Sequence, residues 1–453
     1  MPKPSVKARP PALDGALRLA MRAHQDGQLA EAGRRYRALL AVAPHDADAL
    51  HYLGVLMNQQ GQHEAALALI GKALQAAPGY TDARNNLGNV QKEMGMAAEA
   101  EASYRAVIAA RPQFVSAYNN LGVVLKSQRR YAEAAEAYRQ AVALAPDFVA
   151  GWINLGNALK GLEDTDGAVM AYYTAIKLEP QSAETYRNLG RALVSSGRYD
   201  DALDVYRRYQ QIEPDNVAIA HMIAACAGAP APARASDGYV QSTFDSFASS
   251  FDEVLARLDY RAPQLCGALV AELLGAPAAA LAVLDGGCGT GLCGPVLLPY
   301  ARTLDGVDLA PKMLAKAAER ACYRRLDEAE LTAWLATHPA DYDLIVSADT
   351  LCYFGALDAV LAAAASALRP GGHLLFTLEL SGPAESGTGF HLYPHGRYSH
   401  SEAYARQMLA DASLAVLALR HDTLRMELDL PVTGLLVAAQ RPVAPARASR
   451  PSR

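Results

Sequence analysis

A proline returns every 34 residues through the first half of the chain, and this period constrains the fold more than any other feature. The prolines are Pro44, Pro78, Pro112, Pro146, Pro180 and Pro214. Proline ends a helix because it lacks a backbone N–H and clashes with the preceding turn. A 34-residue period closed by proline is the length of a pair of antiparallel helices, which buries its apolar faces by stacking on the next pair. Residues 13–216 are therefore predicted to form an all-α solenoid of repeated helix pairs.

Three other rows share this period. They are the leucines Leu19, Leu53, Leu87, Leu121, Leu155 and Leu189, the alanines Ala32, Ala66, Ala100, Ala134, Ala168 and Ala202, and the tyrosines Tyr36, Tyr104, Tyr138, Tyr172 and Tyr206. Glycine follows most of the leucines, and small residues let the two helices of a unit touch closely. The aromatic row is expected to fill the gap between units. This pattern resembles the tetratricopeptide repeat (TPR), with six units.

Length and composition narrow the remaining possibilities. A chain of 453 residues is too long for one core, and 51% hydrophobic content excludes a mostly disordered protein. The net charge of −5 gives no basic field, so no nucleic-acid partner is expected. No apolar stretch is long enough to predict a membrane span, and the first residues do not resemble a signal peptide. The cysteines form no CxxC pair, so we expect reduced thiols, no metal site and a cytoplasmic location.

The composition also suggests domain boundaries. Residues 1–12 are expected to be disordered, and 13–228 to hold the six TPR units and a capping helix over 217–228. A Pro/Ala-rich linker follows at 229–236, then a second domain at 237–441 and a disordered basic tail at 442–453. In the second domain, apolar strand patterns alternate with helical ones. This alternation predicts an α/β, Rossmann-like, mostly parallel sheet, and the short connection between the last two strands predicts an antiparallel pair at one edge.

A glycine-rich loop follows the first predicted strand of this domain. Gly287, Gly289 and Gly291 alternate in a GxGxG pattern, and Asp285 precedes them by two residues. A dinucleotide site favours GxGxxG, whereas this spacing leaves room for an aminoacyl group and offers Asp285 to an ammonium. Asp308 ends the second strand 23 residues after Asp285, where a carboxylate can accept the hydroxyl groups of a ribose. The loop and its two acids predict a nucleoside cofactor site for S-adenosylmethionine.

Four segments carry a family resemblance: VLDGGCGTG (283–291), GVDLAPKML (306–314), YDLIVSADTLCYF (342–354) and LRPGGHLLF (368–376). In order and spacing they resemble class I S-adenosylmethionine-dependent methyltransferases, and the whole chain looks like TPR-fused members from bacteria. The resemblance implies that Asp285, Gly287, Cys288, Gly289 and Gly291 hold the methionyl end. It implies further that Asp308 holds the ribose and that Leu309, Met313 and Glu330 lie near the adenine.

Candidate substrate-binding residues come from two segments. Asp349 and Tyr353 follow the fourth strand, where an acceptor would meet the methyl group, and His391 and Tyr398 lie between the fifth and sixth strands. For each residue, packing or a surface hydrogen bond is an alternative role. The aromatic helix predicted over 239–255 is interpreted either as a lid over the cofactor or as a docking helix. No general base is assigned, because methyl transfer needs one only when the acceptor starts protonated.

A row of amides repeats within the solenoid. Asn86, Asn120, Asn154 and Asn188 stand before successive Leu-Gly pairs on the first helix of each unit. Asparagine both donates and accepts hydrogen bonds, so the row could bind the main chain of a peptide. The alternative is that these amides bond the neighbouring helix.

The leading hypothesis is a methyltransferase whose TPR array recruits a protein partner or substrate. The alternatives are a non-catalytic ligand-binding adaptor and a small-molecule methyltransferase whose TPR part serves only assembly.

Overall fold

The chain folds into two compact units in the computed structural model, residues 1–196 and 197–453. The structure describes residues 10–228, 231–382, 389–427 and 430–443. Most of the predicted disordered segments, 1–9 of the start and 444–453 of the tail, therefore lie outside the described residues. The finer domain boundaries proposed from the sequence stay predictions.

The first unit is built of paired helices. They are α1 (Pro11–Gln25), α2 (Leu29–Val42), α3 (Ala47–Gln59), α4 (His63–Ala76), α5 (Thr81–Glu93), α6 (Ala97–Ala110), α7 (Val115–Ser127), α8 (Tyr131–Leu144), α9 (Val149–Gly161), α10 (Thr165–Leu178) and α11 (Ala183–Ser195). Each periodic proline lies two residues beyond the end of a second helix. The TPR fold predicted from the period is confirmed.

The periodic glycine and tyrosine of a unit pack against each other. A Cβ atom on Gly88 would lie 2.6 Å from the ring of Tyr104, and the same holds for Gly122 against Tyr138. The tyrosine rings are fully buried. The sequence assigned this aromatic to the gap between units, but the ring lies over the glycine of its own unit. Glycine is required there because any larger residue would push the two helices apart.

The second unit begins with helices and continues as a sheet covered by further helices. The helices are α12 (Tyr199–Ile212), α13 (Val217–Ala227), α14 (Asp237–Asp245), α15 (Phe251–Arg257), α16 (Ala262–Leu274), α17 (Gly294–Leu297), α18 (Pro311–Ala318), α19 (Leu331–Ala336), α20 (Asp358–Ala367) and α21 (Glu402–Asp411). The strands are β1 (Leu281–Gly286), β2 (Ala301–Asp308), β3 (Arg325–Glu328), β4 (Tyr342–Ser347), β5 (Leu368–Leu380), β6 (Phe390–Leu392), β7 (Tyr398–His400), β8 (Ala415–Glu427) and β9 (Leu430–Gln440).

The sheet is mostly parallel, as predicted. Strands β3, β2, β1, β4 and β5 lie side by side in that order and run parallel. Strand β9 pairs antiparallel with β5, and β8 pairs antiparallel with β9, which confirms the predicted edge pair. The short hairpin of β6 and β7 extends from the end of β5. Because the chain order reverses between β1 and β4, a crevice opens at the carboxyl ends of these strands.

Two helical segments of this domain are short or interrupted. After the glycine loop, residues 294–300 form only α17 and a 3-10 turn, because Pro299 has no N–H to continue the helix. The aromatic helix expected over 239–255 is broken into α14, a 3-10 turn at Ala248–Ser250, and α15. In the described parts of the chain, no helix is long and apolar enough to cross a membrane.

Candidate functional site

A pocket opens where β1, β2 and β4 end. It encloses about 920 Å³ of empty space, counting its mouth. The pocket is lined by most of the residues predicted to hold the cofactor, namely Asp285, Gly287, Cys288, Gly289, Asp308, Leu309, Met313 and Glu330. Asp349 and Tyr353, predicted for the substrate, line the same pocket. The structure therefore brings together residues that lie up to 68 positions apart in the sequence.

The glycine loop is held by its backbone. The N–H groups of Gly287 and Cys288 both donate to the carbonyl oxygen of Val307, at 2.8 and 3.0 Å. Gly287 has φ 74°, and a Cβ atom there would collide with the hydroxyl group of Thr350. Gly291 (φ 81°) turns the chain beside Tyr323 just outside the pocket lining. The loop thus stays close to β2 and leaves the space above it open.

The space beside Gly286 is filled by a neighbouring side chain. Gly286 continues β1 in register with Val307, and a Cβ atom there would lie 2.9 Å from the side chain of Leu331. Leu331 therefore takes the space that a larger residue would fill at this position. The glycine does not loosen the strand.

Asp285 is a carboxylate buried at the floor of the pocket. It is 2% exposed, and its Oδ2 accepts a hydrogen bond of 2.6 Å from the hydroxyl group of Tyr323. Burial raises the pKa of Asp285 to about 7, although the Tyr323 hydrogen bond lowers it. A cationic ligand would favour the ionised form, so the floor of the pocket has chemistry suited to an ammonium or sulfonium group.

Asp308 connects the two loops that form one wall of the pocket. Its Oδ2 accepts the N–H of Gly289 at 2.9 Å, and its Oδ1 accepts the N–H of Ala310 at 2.9 Å. Burial raises the pKa of Asp308, while these backbone donors lower it. The carboxylate therefore fixes the position of the glycine loop, besides lining the pocket.

The predicted adenine residues surround one end of the pocket. Met313 is fully buried against Ala248 and Ala310, and Leu309 is partly exposed. Glu330 begins α19, where its side chain accepts the N–H of Ala333 at 2.8 Å. The charged residue that ends β3, Glu328, does not abolish that strand, because β3 pairs with β2 through its full length.

An aromatic cluster covers part of the pocket. Phe244 and Phe251 line it and pack against Phe247, and Phe244 meets the ring of Tyr353 edge to face at 5.4 Å. Tyr239 of α14 instead packs against His221, with the ring centres 4.2 Å apart and the ring planes tilted by 35°.

Polar contacts hold this covering segment to the glycine loop. Asp252 of α15 accepts hydrogen bonds of 2.5 Å from the hydroxyl group of Thr290 and from the guanidinium of Arg320. Arg320 also donates to the carbonyl oxygen of Thr290 at 2.5 Å. The backbone N–H of Lys312 donates to Asp245 at 3.0 Å. These contacts hold the segment that carries the phenylalanines to the glycine loop and to α18.

Asp349 joins the pocket to a buried ionic cluster. Its Oδ2 accepts a hydrogen bond of 2.7 Å from Arg425, which also pairs with Glu379 and Glu427. Arg397 pairs with the same two glutamates. Burial raises the pKa of Asp349, and Arg425 opposes that rise. Asp349 thus has a structural partner as well as a face on the pocket.

The other two predicted substrate residues do not line this pocket. Tyr398 is fully buried and donates to the carbonyl oxygen of Pro232 at 2.9 Å, in a cluster with Leu392 and Ala225. His391 lies on β6, with its ring against Tyr393. Both belong to the hairpin beside β5, so the structure does not bring them to the candidate cofactor residues.

The amide row of the first unit bonds between neighbouring helices. Asn120 donates to Asn89 at 3.1 Å, and Asn154 donates to Asn119 at 3.0 Å. Asn86 lies 2.8 Å from the Nε2 atom of His51. These contacts correspond to the alternative role, in which the amides connect one repeat to the next. Asn120 also donates to Asn85 at 3.4 Å, so both of its hydrogen bonds are with the preceding repeat.

Sequence reasoning missed three residues at or behind the pocket. Thr350 lines the pocket but was assigned no role, Tyr323 contacts Asp285, and Arg425 contacts Asp349 from 76 positions further along the chain. A polar residue directly after Asp349 was a usable signal for Thr350. Nothing in the sequence indicated Tyr323 or Arg425, because their contacts depend on how distant segments fold together.

Comparisons with known proteins agree with the two halves of this structure. The family model described as "Methyltransferase domain" matches residues 284–374. The model described as "Tetratricopeptide repeat" matches residues 17–81, 85–147 and 153–217. The glycine loop, Asp308 and Asp349 all lie within the first match.

Three curated relatives match part of the chain. Methyltransferase-like protein 27 of Homo sapiens is 38% identical over 84 residues, covering 18% of this chain and 34% of that protein. Ubiquinone biosynthesis O-methyltransferase of Thiobacillus denitrificans is 32% identical over 107 residues, covering 22% and 46%. Biotin biosynthesis bifunctional protein BioCD of Bordetella avium is 37% identical over 145 residues, covering 28% and 29%. The chain thus spans less than half the length of each.

Proposed function

Because this chain combines tetratricopeptide repeats with a methyltransferase domain, we propose that it is an S-adenosylmethionine-dependent methyltransferase whose repeats recruit a protein partner or substrate. One observation carries the cofactor assignment. Asp285 and Asp308 lie in the same pocket, on either side of a loop of glycines with positive φ. This combination supports a ligand that carries a cationic aminoacyl end and a ribose.

The residues present fit that cofactor. Asp285 is a buried carboxylate whose hydrogen-bond partner is a neutral phenol, so it suits the ammonium of the methionyl group. The space beside Gly289 is open, with no atom within 4 Å of a Cβ placed there, whereas Thr350 fills the space beside Gly287. Asp308 would accept ribose hydroxyl groups, and Met313 with Leu309 would contact the adenine. Gly291 and Cys288 would support the loop from outside and below.

The cofactor supplies an activated methyl group on a sulfonium when bound. The protein's contribution to transfer is to hold an acceptor in line with that group and to exclude water. Phe244, Phe251 and Tyr353 form a wall suited to both tasks, because they are large, apolar and fixed by one another. Asp349 contributes a carboxylate at the same wall and would orient a polar acceptor. We assign no general base.

Transfer is tested with isotopically labelled S-adenosylmethionine and a cell extract, followed by mass spectrometry of proteins and small molecules. Label in an acceptor with wild type, and much less label with Asp285→Asn at a low cofactor concentration, supports the enzyme. If the protein binds the cofactor and no acceptor is ever labelled, the non-catalytic adaptor is correct. A labelled small molecule would favour the second candidate, a small-molecule methyltransferase. The aromatic wall favours that candidate, since it resembles a site for a compact apolar acceptor.

The recruiting role rests on the amide row and the repeats that carry it. Replacing Asn120 and Asn154 together by Ala removes hydrogen bonds between units, so a stability loss of about 0.5–1.5 kcal/mol each is expected, measured by thermal unfolding. If partner capture falls while circular dichroism shows a folded array, the row also binds a partner. Unchanged capture by the folded double variant would leave these amides a purely structural role.

The free thiol state of the cysteines supports a cytoplasmic location.

A further inference from the structure

A row of lysines lines the first helices of three successive repeats. Lys92, Lys126 and Lys160 are each 34 residues apart, and each lies near the end of its helix. On α5, Asn86, Asn89 and Lys92 follow at intervals of three residues, which places them along one side of the helix. The hydrogen bond of 3.2 Å between Asn89 and Asn86 agrees with this placement. The lysines therefore continue the face on which the amides stand.

A contact between two earlier repeats indicates which position each lysine would face. In the preceding unit the same place is held by Asn58, which donates to Glu93 of the next repeat at 2.9 Å. The places that correspond to Glu93 in the following repeats are Ser127, Gly161 and Ser195. None of these can carry a negative charge. Where a lysine stands, the position that would face it is neutral, and over residues 10–196 no ion pair within 4.0 Å involves the row.

Two arginines increase the positive charge at the last repeat of the row. Arg187 and Arg191 lie on α11, and neither has an ion pair among the described residues of the first unit. Burial lowers the pKa of Lys160, and the positive charge of Arg191 lowers it further. Glu184 is an acid of the same helix, but it forms no ion pair within 4.0 Å in that unit. Like charges are thus held close without a compensating carboxylate.

The amide beside these cations also lacks the partner that its relatives have. Asn154 reaches Asn119 in the preceding repeat, but the equivalent neighbour of Asn188 is Ile153, which has no polar side chain. Over residues 10–196, the side chain of Asn188 forms no hydrogen bond. Unpaired lysines such as Lys72 on a second helix are ordinary solvated residues. The row differs from them in its regular spacing and in its adjoining unused amide.

We propose that this face, defined by Lys92, Lys126, Lys160, Arg187 and Arg191, binds an extended acidic segment of a partner protein. Neighbouring packed helices lie about 8–10 Å apart, and an extended chain advances about 3.3 Å per residue. Successive lysines therefore match Asp or Glu at about every third residue. The amides beside them suit the main chain of the same segment. The inference rests on the proposed recruiting function and adds the chemistry of the partner.

Defined peptides test this with the full-length protein. A fluorescein-labelled peptide of about five Glu-Ser-Gly triplets is compared by anisotropy with its Gln-Ser-Gly counterpart and with a peptide in which the same glutamates are consecutive. The spaced acidic peptide is expected to bind at least about tenfold more tightly than the neutral one, and to weaken as salt rises to about 0.2 M. A labelled oligothymidylate of similar length is the nucleic-acid comparison.

A matched pair of double variants locates the binding face. The double variant Lys126→Gln with Lys160→Gln should bind the spaced acidic peptide about tenfold more weakly than wild type. The double variant Lys72→Gln with Lys177→Gln removes the same charge from second helices and should change this affinity less than about twofold. Equal losses in both pairs, tighter binding of the oligothymidylate, or no binding of the acidic peptide would each overturn the proposal. Equal binding of the neutral peptide would also overturn it while leaving recruitment intact. Labelling of an acceptor, measured without these peptides, tests methyl transfer independently.

Discussion

The affinity for S-adenosylmethionine should fall about fiftyfold between pH 7 and pH 5, because ionised Asp285 attracts the ligand's ammonium and its protonated form does not. Burial raises the pKa of this carboxyl to about 7, so it titrates in the range where enzymes are assayed. About half of the molecules carry the charge at pH 7 and about one in a hundred at pH 5. The ratio of these populations gives the fiftyfold change, and one proton is released per ligand bound at the lower pH.

The same shift sets the sign of a stability effect. The pKa of Asp285 in the folded protein lies above its ordinary value of 3.8, so the folded state binds this proton more tightly than the unfolded state. Its contribution to stability is therefore present below about pH 4 and is lost as the pH rises through about 7. Asp285→Asn, which cannot ionise, should make the ligand-free protein more heat-stable than wild type at pH 8.

Titration calorimetry in two buffers of different ionisation enthalpy measures both affinity and proton release. Asp285→Asn should bind about 10 to 100 times more weakly at pH 7.5 and should lose the pH dependence between pH 5 and 7. Asp341→Asn is the control, because Asp341 is exposed and precedes β4, away from the carboxyl ends of the strands. If the wild-type affinity is flat from pH 5 to 7, Asp285 does not hold the ammonium.

Two further substitutions test the walls of the pocket. Asp308→Ala should reduce cofactor affinity by about 1.5–3 kcal/mol in calorimetry, because it removes a charged acceptor and frees the N–H of Gly289. Asp327→Ala, outside the pocket lining, should have little effect. Equal losses in the two variants would mean that the ribose acid lies elsewhere. In thermal unfolding, Gly287→Ala should lower the free energy of unfolding by about 1–3 kcal/mol more than Gly228→Ala does. Both residues have φ near 70°, but only a side chain at Gly287 would collide with Thr350. Similar losses in the two glycine variants would remove the argument for a close-packed loop.

Much of the fold could be predicted from local patterns. The 34-residue period specified the helical pairs, because each unit repeats the same packing and therefore the same residues. The alternation of apolar strands and amphipathic helices predicted the parallel sheet, and the short connection before β9 predicted its antiparallel partner. The cofactor residues were predicted because a glycine loop and the acids at the ends of β1 and β2 are neighbours along individual strands. Their roles remain predictions.

The tertiary structure decided what depends on distant contacts. Tyr323 contacts Asp285, and Arg425 contacts Asp349, only once the sheet has assembled. No spacing between neighbouring residues in the sequence therefore predicts either pair. The amide row was ambiguous in sequence, since an asparagine on a helix face can bond a peptide or the next helix. The stacking of repeats brings Asn154 to Asn119. Periodicity fixes which residues share a face, whereas only the packing of one helix on another determines which of them find partners.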